Sequence, residues 1–290
     1  MSDLIYLNGE IVPAAEARIS AFDAGLNHAA GLFETMRSYG GRVMRLNEHV
    51  KRMSNSADAL EMLIRVDPDE IADGIRRLLA ANSLQDARIR MVATPGEVPR
   101  PGRLEVKPGS QTLIISASQV QPYPPLLYAQ GMRVCISDYR QNRQDPIAGH
   151  KTLAYMPRLI ALKEAADREC HEALWFTTDN LLAEGCVCNV FVVHDGVIST
   201  PPLDTPILPG ATRNAIIELS RENGMSMHER PIDIDVLLAA DEVFLTGSVL
   251  EVMPVTFIEK HRVGEGVPGA RTREIQGLYK RLVAKECEIG

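Results

Sequence analysis

Apolar residues in this chain first alternate and then recur at longer intervals, and the change of period marks the elements. LIYLNGEIV, residues 4–12, alternates on either side of Asn8-Gly9, which predicts a β-hairpin with a tight turn. GLFETMRSY and RVMRL, parted by Gly40-Gly41, predict a second hairpin. From Asn47 to about Leu63 the period lengthens. Val50, Met53, Ala57, Leu60 and Leu63 recur at spacings of three and four, as on one face of a helix. Ile71 to Ala81 predicts another helix. ARIRMVAT and QTLIISAS predict strands, and this first block ends near Val120.

QPYPPLL, residues 121–127, has three prolines in seven positions and predicts a stiff extended connector. The chain therefore divides into a small N-terminal domain (1–120), a linker (121–128) and a larger domain (129–290). In the larger domain GMRVCIS predicts a strand. Residues 155–168 predict a helix with Pro157 in its first turn, where a missing N–H does no harm. EALWFTT, NVFVVHD and GVIST predict strands, 212–223 a helix, DEVFLTG and MPVTFIE strands, and Arg271 to about Glu286 a last helix. The pattern is mixed α/β without internal repeats.

Composition narrows the classes. The chain has 290 residues, 45% hydrophobic and 24% charged, the profile of a globular protein. A net charge of −7 without a polybasic block argues against nucleic acid as a partner. The longest apolar runs are too short to span a bilayer. MSDLIYLNGE shows no basic region followed by an apolar one, so the expected location is the cytoplasm. Cys135, Cys170, Cys186, Cys188 and Cys287 are odd in number and lack metal-site spacing, so no metal centre is expected. Cys186 and Cys188, read as a strand, would share one face as small buried hydrophobes.

Five features could carry chemistry. Lys151 in GHKTLAYM precedes an apolar run, and a buried lysine needs a partner or a use. Gly and Lys are not adjacent there, so the stretch is not a phosphate-binding P-loop. Glu184 is a lone carboxylate in LLAEGCVCNVFVV and should be paired. LPGATRNAIIEL puts free backbone N–H groups and the Thr212 hydroxyl at a helix start, a ready anion site. FLTGSVLEV ends a strand in Gly247 and Ser248. Arg52, between Val50 and Met53, lies at the buried edge of its helix and could fork onto a phosphate. A lysine, an acid, two hydroxyl-bearing loops and an arginine suit a phosphorylated carbonyl cofactor held as a Schiff base.

At these residues the sequence resembles the class IV (fold type IV) pyridoxal-phosphate enzymes: branched-chain aminotransferases, D-amino acid aminotransferases and aminodeoxychorismate lyases. The resemblance runs in order through IYLNGEIV, GLFETMRSYGG with RLNEHVKRM, GHKTLAYM, LAEGCVCNVF, LPGATR and TGSVLEVMPV. The steps from Lys151 to Glu184 to Thr212 to Ser248 are 33, 28 and 36 residues. It implies a small α/β domain and a larger domain with a β-barrel-like core and flanking helices. It also implies a homodimer with its active site near the subunit interface. By resemblance, Lys151 carries the cofactor and then moves the substrate proton. Glu184 pairs with the pyridine N–H, and Arg52, Ala211, Thr212 and Ser248 hold the phosphate. Leu208 packs on the ring, and Tyr155 bonds the phenolic oxygen. Arg37, Arg90 and Arg100 stand at substrate-binding positions of one or another subgroup.

There are departures. D-amino acid enzymes usually show Arg-x-His where this chain has Arg100-Pro-Gly, and many relatives carry an Asn around the positions of Pro157 and Arg158. Branched-chain enzymes usually read G-T-x-x-E near the second phosphate loop, where this chain has GSVLEV. The expected activity is transamination between a branched-chain-like amino acid and a 2-oxo acid. The alternatives are a lyase releasing pyruvate and 4-aminobenzoate from aminodeoxychorismate, and a D-amino acid aminotransferase.

Overall fold

The computed structural model of the chain describes residues 3–98 and 106–289. They form two compact units, Met1–Gln121 with His150–Ala154 and Val283–Gly290, and Pro122–Gly149 with Tyr155–Leu282.

The first unit contains β1 (Leu4–Leu7), β2 (Glu10–Pro13), α1 (Ala24–His28), β3 (Leu32–Tyr39), β4 (Arg42–Val43), α2 (Leu46–Ala59), α3 (Pro68–Ala81), β5 (Ala87–Thr94) and β6 (Thr112–Gln119). Its six strands lie in the order β2-β1-β6-β5-β3-β4, antiparallel throughout. Asn8 and Gly9 both have positive φ (47° and 98°), the backbone a two-residue hairpin turn requires. Asp67 caps α3 by accepting from the Asp69 and Glu70 N–H groups, and Pro68 follows it at the helix start.

Strand alternation gives this sheet two faces. Leu32, Met36, Ile89, Met91 and Ile115 form one core with Val50 and Met53 of α2 and Ile71, Ile75 and Leu78 of α3. The other face carries Phe33, Thr35, Arg37, Arg90 and Ser116. Helix α2 stops at Ala59, short of the expected Leu63. Glu61 turns left-handed (φ 51°), and the Met62 N–H returns to the Ala57 carbonyl. Leu63 is consequently exposed, not part of the buried face.

The second unit adds α4 (Pro125–Gln130), β7 (Met132–Gln141), α5 (Met156–Asp167), β8 (Glu172–Thr177), β9 (Leu182–Gly185), β10 (Asn189–His194), β11 (Val197–Thr200), α6 (Ala211–Glu222), β12 (Met227–Glu229), α7 (Ile234–Leu238), β13 (Glu242–Gly247), β14 (Glu251–Ile258), β15 (His261–Arg262) and α8 (Ala270–Glu286). Its sheet runs β12-β11-β10-β13-β14-β7-β8-β9, with β15 paired to β14. Strand β7 is parallel to both neighbours, β14 and β8. Strands β8 and β9 are buried along their whole length, so both sheet faces are covered there. Phe191 and Phe244, directly opposite on β10 and β13, stack at 4.9 Å.

Two local expectations fail. QPYPPLL is not extended throughout: Pro125 opens α4, because a proline fits the first helical turn. Cys186 and Cys188 lie in the turn between β9 and β10, not along a strand, though both are buried free thiols. Among the described residues no helix is long and apolar enough to cross a membrane, and no group of His, Cys, Asp or Glu could hold a metal ion.

Candidate active site

Within the first unit, residues 150–154 run beside the start of β3. The Phe33 N–H donates to the Lys151 carbonyl, the Leu153 N–H donates to the Gly31 carbonyl (both 2.9 Å), and Leu32 bridges Thr152. A Cβ on Gly31 would stand 2.7 Å from Leu153 and 2.9 Å from the Ala93 carbonyl oxygen, so the close approach requires glycine. This pairing fixes the Lys151 backbone and sets its Nζ 4.5 Å from the Phe33 ring centroid. The Arg90 guanidinium lies 3.4 Å from the same centroid and donates to the Thr35 hydroxyl. Arg37, also on this face, stacks on Tyr39 at 4.4 Å. Arg100 lies outside the described residues.

Arg52 is buried, and its head group does not snorkel to the surface. Its Nε and one terminal nitrogen fork onto the Glu34 carboxylate at 2.8 and 2.5 Å, and His49 Nδ1 lies 2.7 Å from the same carboxylate. Burial alone would raise the Glu34 pKa, but the Arg52 charge and the His49 hydrogen bond prevail and pull it down to about 2. Burial lowers the His49 pKa, so the ring is the neutral member of the cluster. Sequence reasoning missed Glu34 and His49. The signal was available: alternation in LFETMRSY puts Glu34 in phase with Leu32 and Met36, on the core side.

Within the second unit, Glu184 is buried on β9, and both its oxygens are engaged. Oε1 accepts from Arg158 at 2.9 Å, and Oε2 accepts from the Leu208 backbone N–H at 2.9 Å and from Asn189 Nδ2 at 3.4 Å. The Asn189 amide also donates to the Leu208 carbonyl at 2.9 Å, which ties the loop before α6 to the acid. The Tyr155 hydroxyl donates to the Cys186 carbonyl at 2.5 Å, and burial pushes its ionisation well up, so the phenol stays neutral.

Helix α6 starts without a side-chain cap. Gly210 precedes it because a Cβ there would fall 2.1 Å from Asn189 Oδ1. Ala211 and Thr212 are buried in the first turn, where backbone N–H groups lack intrahelical partners. Ser248 opens the turn after β13. Two residues before it, Thr246 has a buried hydroxyl with no hydrogen-bond partner. One orphaned hydroxyl and one uncapped helix start are the features an anion fills.

Glu172 was also missed. This fully enclosed carboxylate accepts from the Ala173, Cys186 and Val187 N–H groups and from the Cys188 thiol, and so pins the turn that follows Glu184. Burial raises its pKa.

The model of the family described as Amino-transferase class IV matches residues 31–258. The chain belongs to the class IV aminotransferase family. It is 34% identical over 285 residues to a putative branched-chain-amino-acid aminotransferase of Methanocaldococcus jannaschii, covering 97% of this chain and 96% of that protein. It is 32% identical over 282 residues to the aminodeoxychorismate lyase of Bacillus subtilis, covering 97% and 94%. The solved branched-chain amino acid aminotransferase of Escherichia coli superposes with a TM-score of 0.92 at 30% identity, covering 100% and 97%. That of Thermobaculum terrenum, solved in its PLP form, superposes with a TM-score of 0.86 at 27% identity, covering 98% and 94%. This class IV chain therefore has the mixed α/β fold of the solved aminotransferases.

Proposed function

We propose that this class IV chain is a pyridoxal-phosphate-dependent aminotransferase. It would move an amino group between a branched-chain-like amino acid and a 2-oxo acid, with Lys151 as its catalytic amine. The observation that carries this reading is full-length similarity to branched-chain aminotransferases, 34% identity across 97% of the chain. The donor set fits the cofactor: an acid with two engaged oxygens on β9, an uncapped helix start at Ala211–Thr212, and an orphaned hydroxyl at the end of β13.

When bound, pyridoxal phosphate supplies an aldehyde that condenses with amines and a ring that accepts the electrons left when Cα loses its proton. The residues of the chain do the rest. Lys151 Nζ would hold the cofactor, and its amine would take up and return the substrate Cα proton. Glu184 would accept a hydrogen bond from the ring N–H and so favour the protonated ring nitrogen. The Ala211 and Thr212 N–H groups and the Thr212 and Ser248 hydroxyls hold the phosphate, with Arg52 as the matching cation. Leu208 covers the ring. The Tyr155 hydroxyl, which donates to the Cys186 carbonyl, would be the hydrogen-bond partner of the phenolic oxygen. Arg37 and Arg90, braced on Tyr39 and Phe33, orient substrate carboxylates. The reading includes a homodimer, which light scattering tests.

The second reading is aminodeoxychorismate lyase, favoured by the 32% identity to that enzyme across 97% of the chain. One experiment separates the two. Protein loaded with pyridoxal phosphate is given L-leucine, L-valine or D-alanine with 2-oxoglutarate, and in parallel aminodeoxychorismate. Glutamate formation from the L-amino acids supports the first reading. Pyruvate release without transamination overturns it in favour of the lyase.

A further inference from the structure

Arg158 is a charged group of the second unit that the roles above leave unused, and it is expensively placed. It sits in the first turn of α5, where the helix dipole disfavours a cation. Its side chain is only 15% exposed. Its contacts converge on one region. One terminal nitrogen donates to Gln141 Oε1 at 2.7 Å and to Glu184 Oε1 at 2.9 Å, and the other donates to the Gly185 carbonyl at 2.9 Å. The guanidinium plane lies 4.2 Å from the Trp175 ring centroid, which fixes its tilt. Gln141 is held in turn by a hydrogen bond to the Pro206 carbonyl, two residues before Leu208.

We propose that Arg158 is the positioning residue for Glu184: it fixes the plane of the carboxylate and places a permanent positive charge behind it. This rests on the reading of Glu184 as the partner of the cofactor's ring nitrogen. The stacked guanidinium, itself held by Gln141 Oε1, fixes Glu184 Oε1 from one side. The Leu208 N–H and the Asn189 amide fix Oε2 from the other. The carboxylate is thus oriented before any ligand arrives. A charge-assisted hydrogen bond holds a carboxylate more firmly than a neutral one does. Arg158 should therefore tighten cofactor binding through Glu184.

The other titratable groups around the pair are Tyr155, Glu172, Cys186 and Cys188. Burial favours the neutral form of the phenol and of both thiols. Burial also favours the neutral form of Glu172, the other carboxylate that a change at Arg158 would reach. A double-mutant design removes that ambiguity, because an effect passing through Glu172 survives the loss of Glu184.

The test uses full-length protein loaded with pyridoxal phosphate. Bound cofactor is measured by equilibrium dialysis and by its visible absorption at neutral pH, for wild type, Arg158→Gln, Arg158→Lys, Glu184→Gln and the Arg158→Gln/Glu184→Gln pair. Inorganic phosphate binding is measured alongside. The expected result is that Arg158→Gln weakens cofactor binding by about 10-fold or more, the worth of a charged hydrogen bond, and changes the visible band. Arg158→Lys should restore most of the affinity, the effect of Arg158→Gln should vanish in the Glu184→Gln background, and phosphate binding should be unchanged. Unchanged affinity and absorption, or an equal loss in the Glu184→Gln background, overturns the inference and leaves Arg158 a fold residue. If Arg158→Gln does not fold, the Lys variant decides: an affinity within about three-fold of wild type is required. Wild type that retains no cofactor refutes instead the proposed function.

Discussion

Replacing Glu34 with Gln keeps the shape of a buried side chain and removes its charge, which makes it a stringent probe of the first unit. In the native structure Glu34 receives Arg52 at 2.8 and 2.5 Å and His49 at 2.7 Å. The pKa falls from 4.5 to about 2, and this difference corresponds to on the order of 3 kcal/mol of stability. Removing one partner of a buried pair costs roughly 3–5 kcal/mol, because the other charge stays in the interior. Both routes give a similar loss, and at roughly 2–4 °C per kcal/mol the melting temperature should drop by roughly 6–12 °C.

The sign with pH follows from the depressed value. The contribution is complete above about 4.5 and is lost as pH falls through about 2, so the gap between wild type and Glu34→Gln should close on acidification. Urea and thermal unfolding from neutral pH downward measure it. Replacing the pair together, Glu34→Leu with Arg52→Met, should recover much of the loss, since a hydrophobic substitute leaves no buried charge behind. A loss under about 1 kcal/mol, a gap independent of pH, or a double variant no better than the single one would refute the reasoning.

Other outcomes are equally specific. Gly210→Ala should displace Asn189 from Glu184 and the Leu208 carbonyl, with a cost of roughly 1–3 kcal/mol in thermal unfolding and weaker cofactor binding; unchanged stability would contradict the close approach. Thr212→Ala and Ser248→Ala should each weaken cofactor binding by roughly 2- to 10-fold in equilibrium dialysis, the worth of one hydrogen bond. All five thiols are buried, and burial pushes their ionisation up, so a thiol reagent should label them only after denaturant is added.

Particular residues show what the sequence carried. Periodicity placed α3 and α6 to within a few residues, and Asn8-Gly9 placed the first hairpin, because these signals are local. Strand β9 went unread: LAEG has four residues and no alternation, and its strand character comes from pairing with β8. The family motifs named Lys151 and Glu184, but they could not name what holds Glu184. Arg158 stands 26 positions away, and a pair at that separation leaves no periodic trace. Glu34 and Arg52 are 18 apart; Arg52 was legible from its phase on an apolar helix face, while the same signal at Glu34 went unread. A buried charge announces that a partner exists, and only the fold says which one.

The central claim is that Lys151 is the amine that binds the cofactor. The most direct measurement is to load the protein with pyridoxal phosphate, reduce it with borohydride so that the carbon–nitrogen link becomes permanent, digest it, and map the label by mass spectrometry. One modified site is expected, on the peptide containing Lys151, and no label in Lys151→Ala protein that remains folded. A label on another lysine, or none on the wild type, would contradict it.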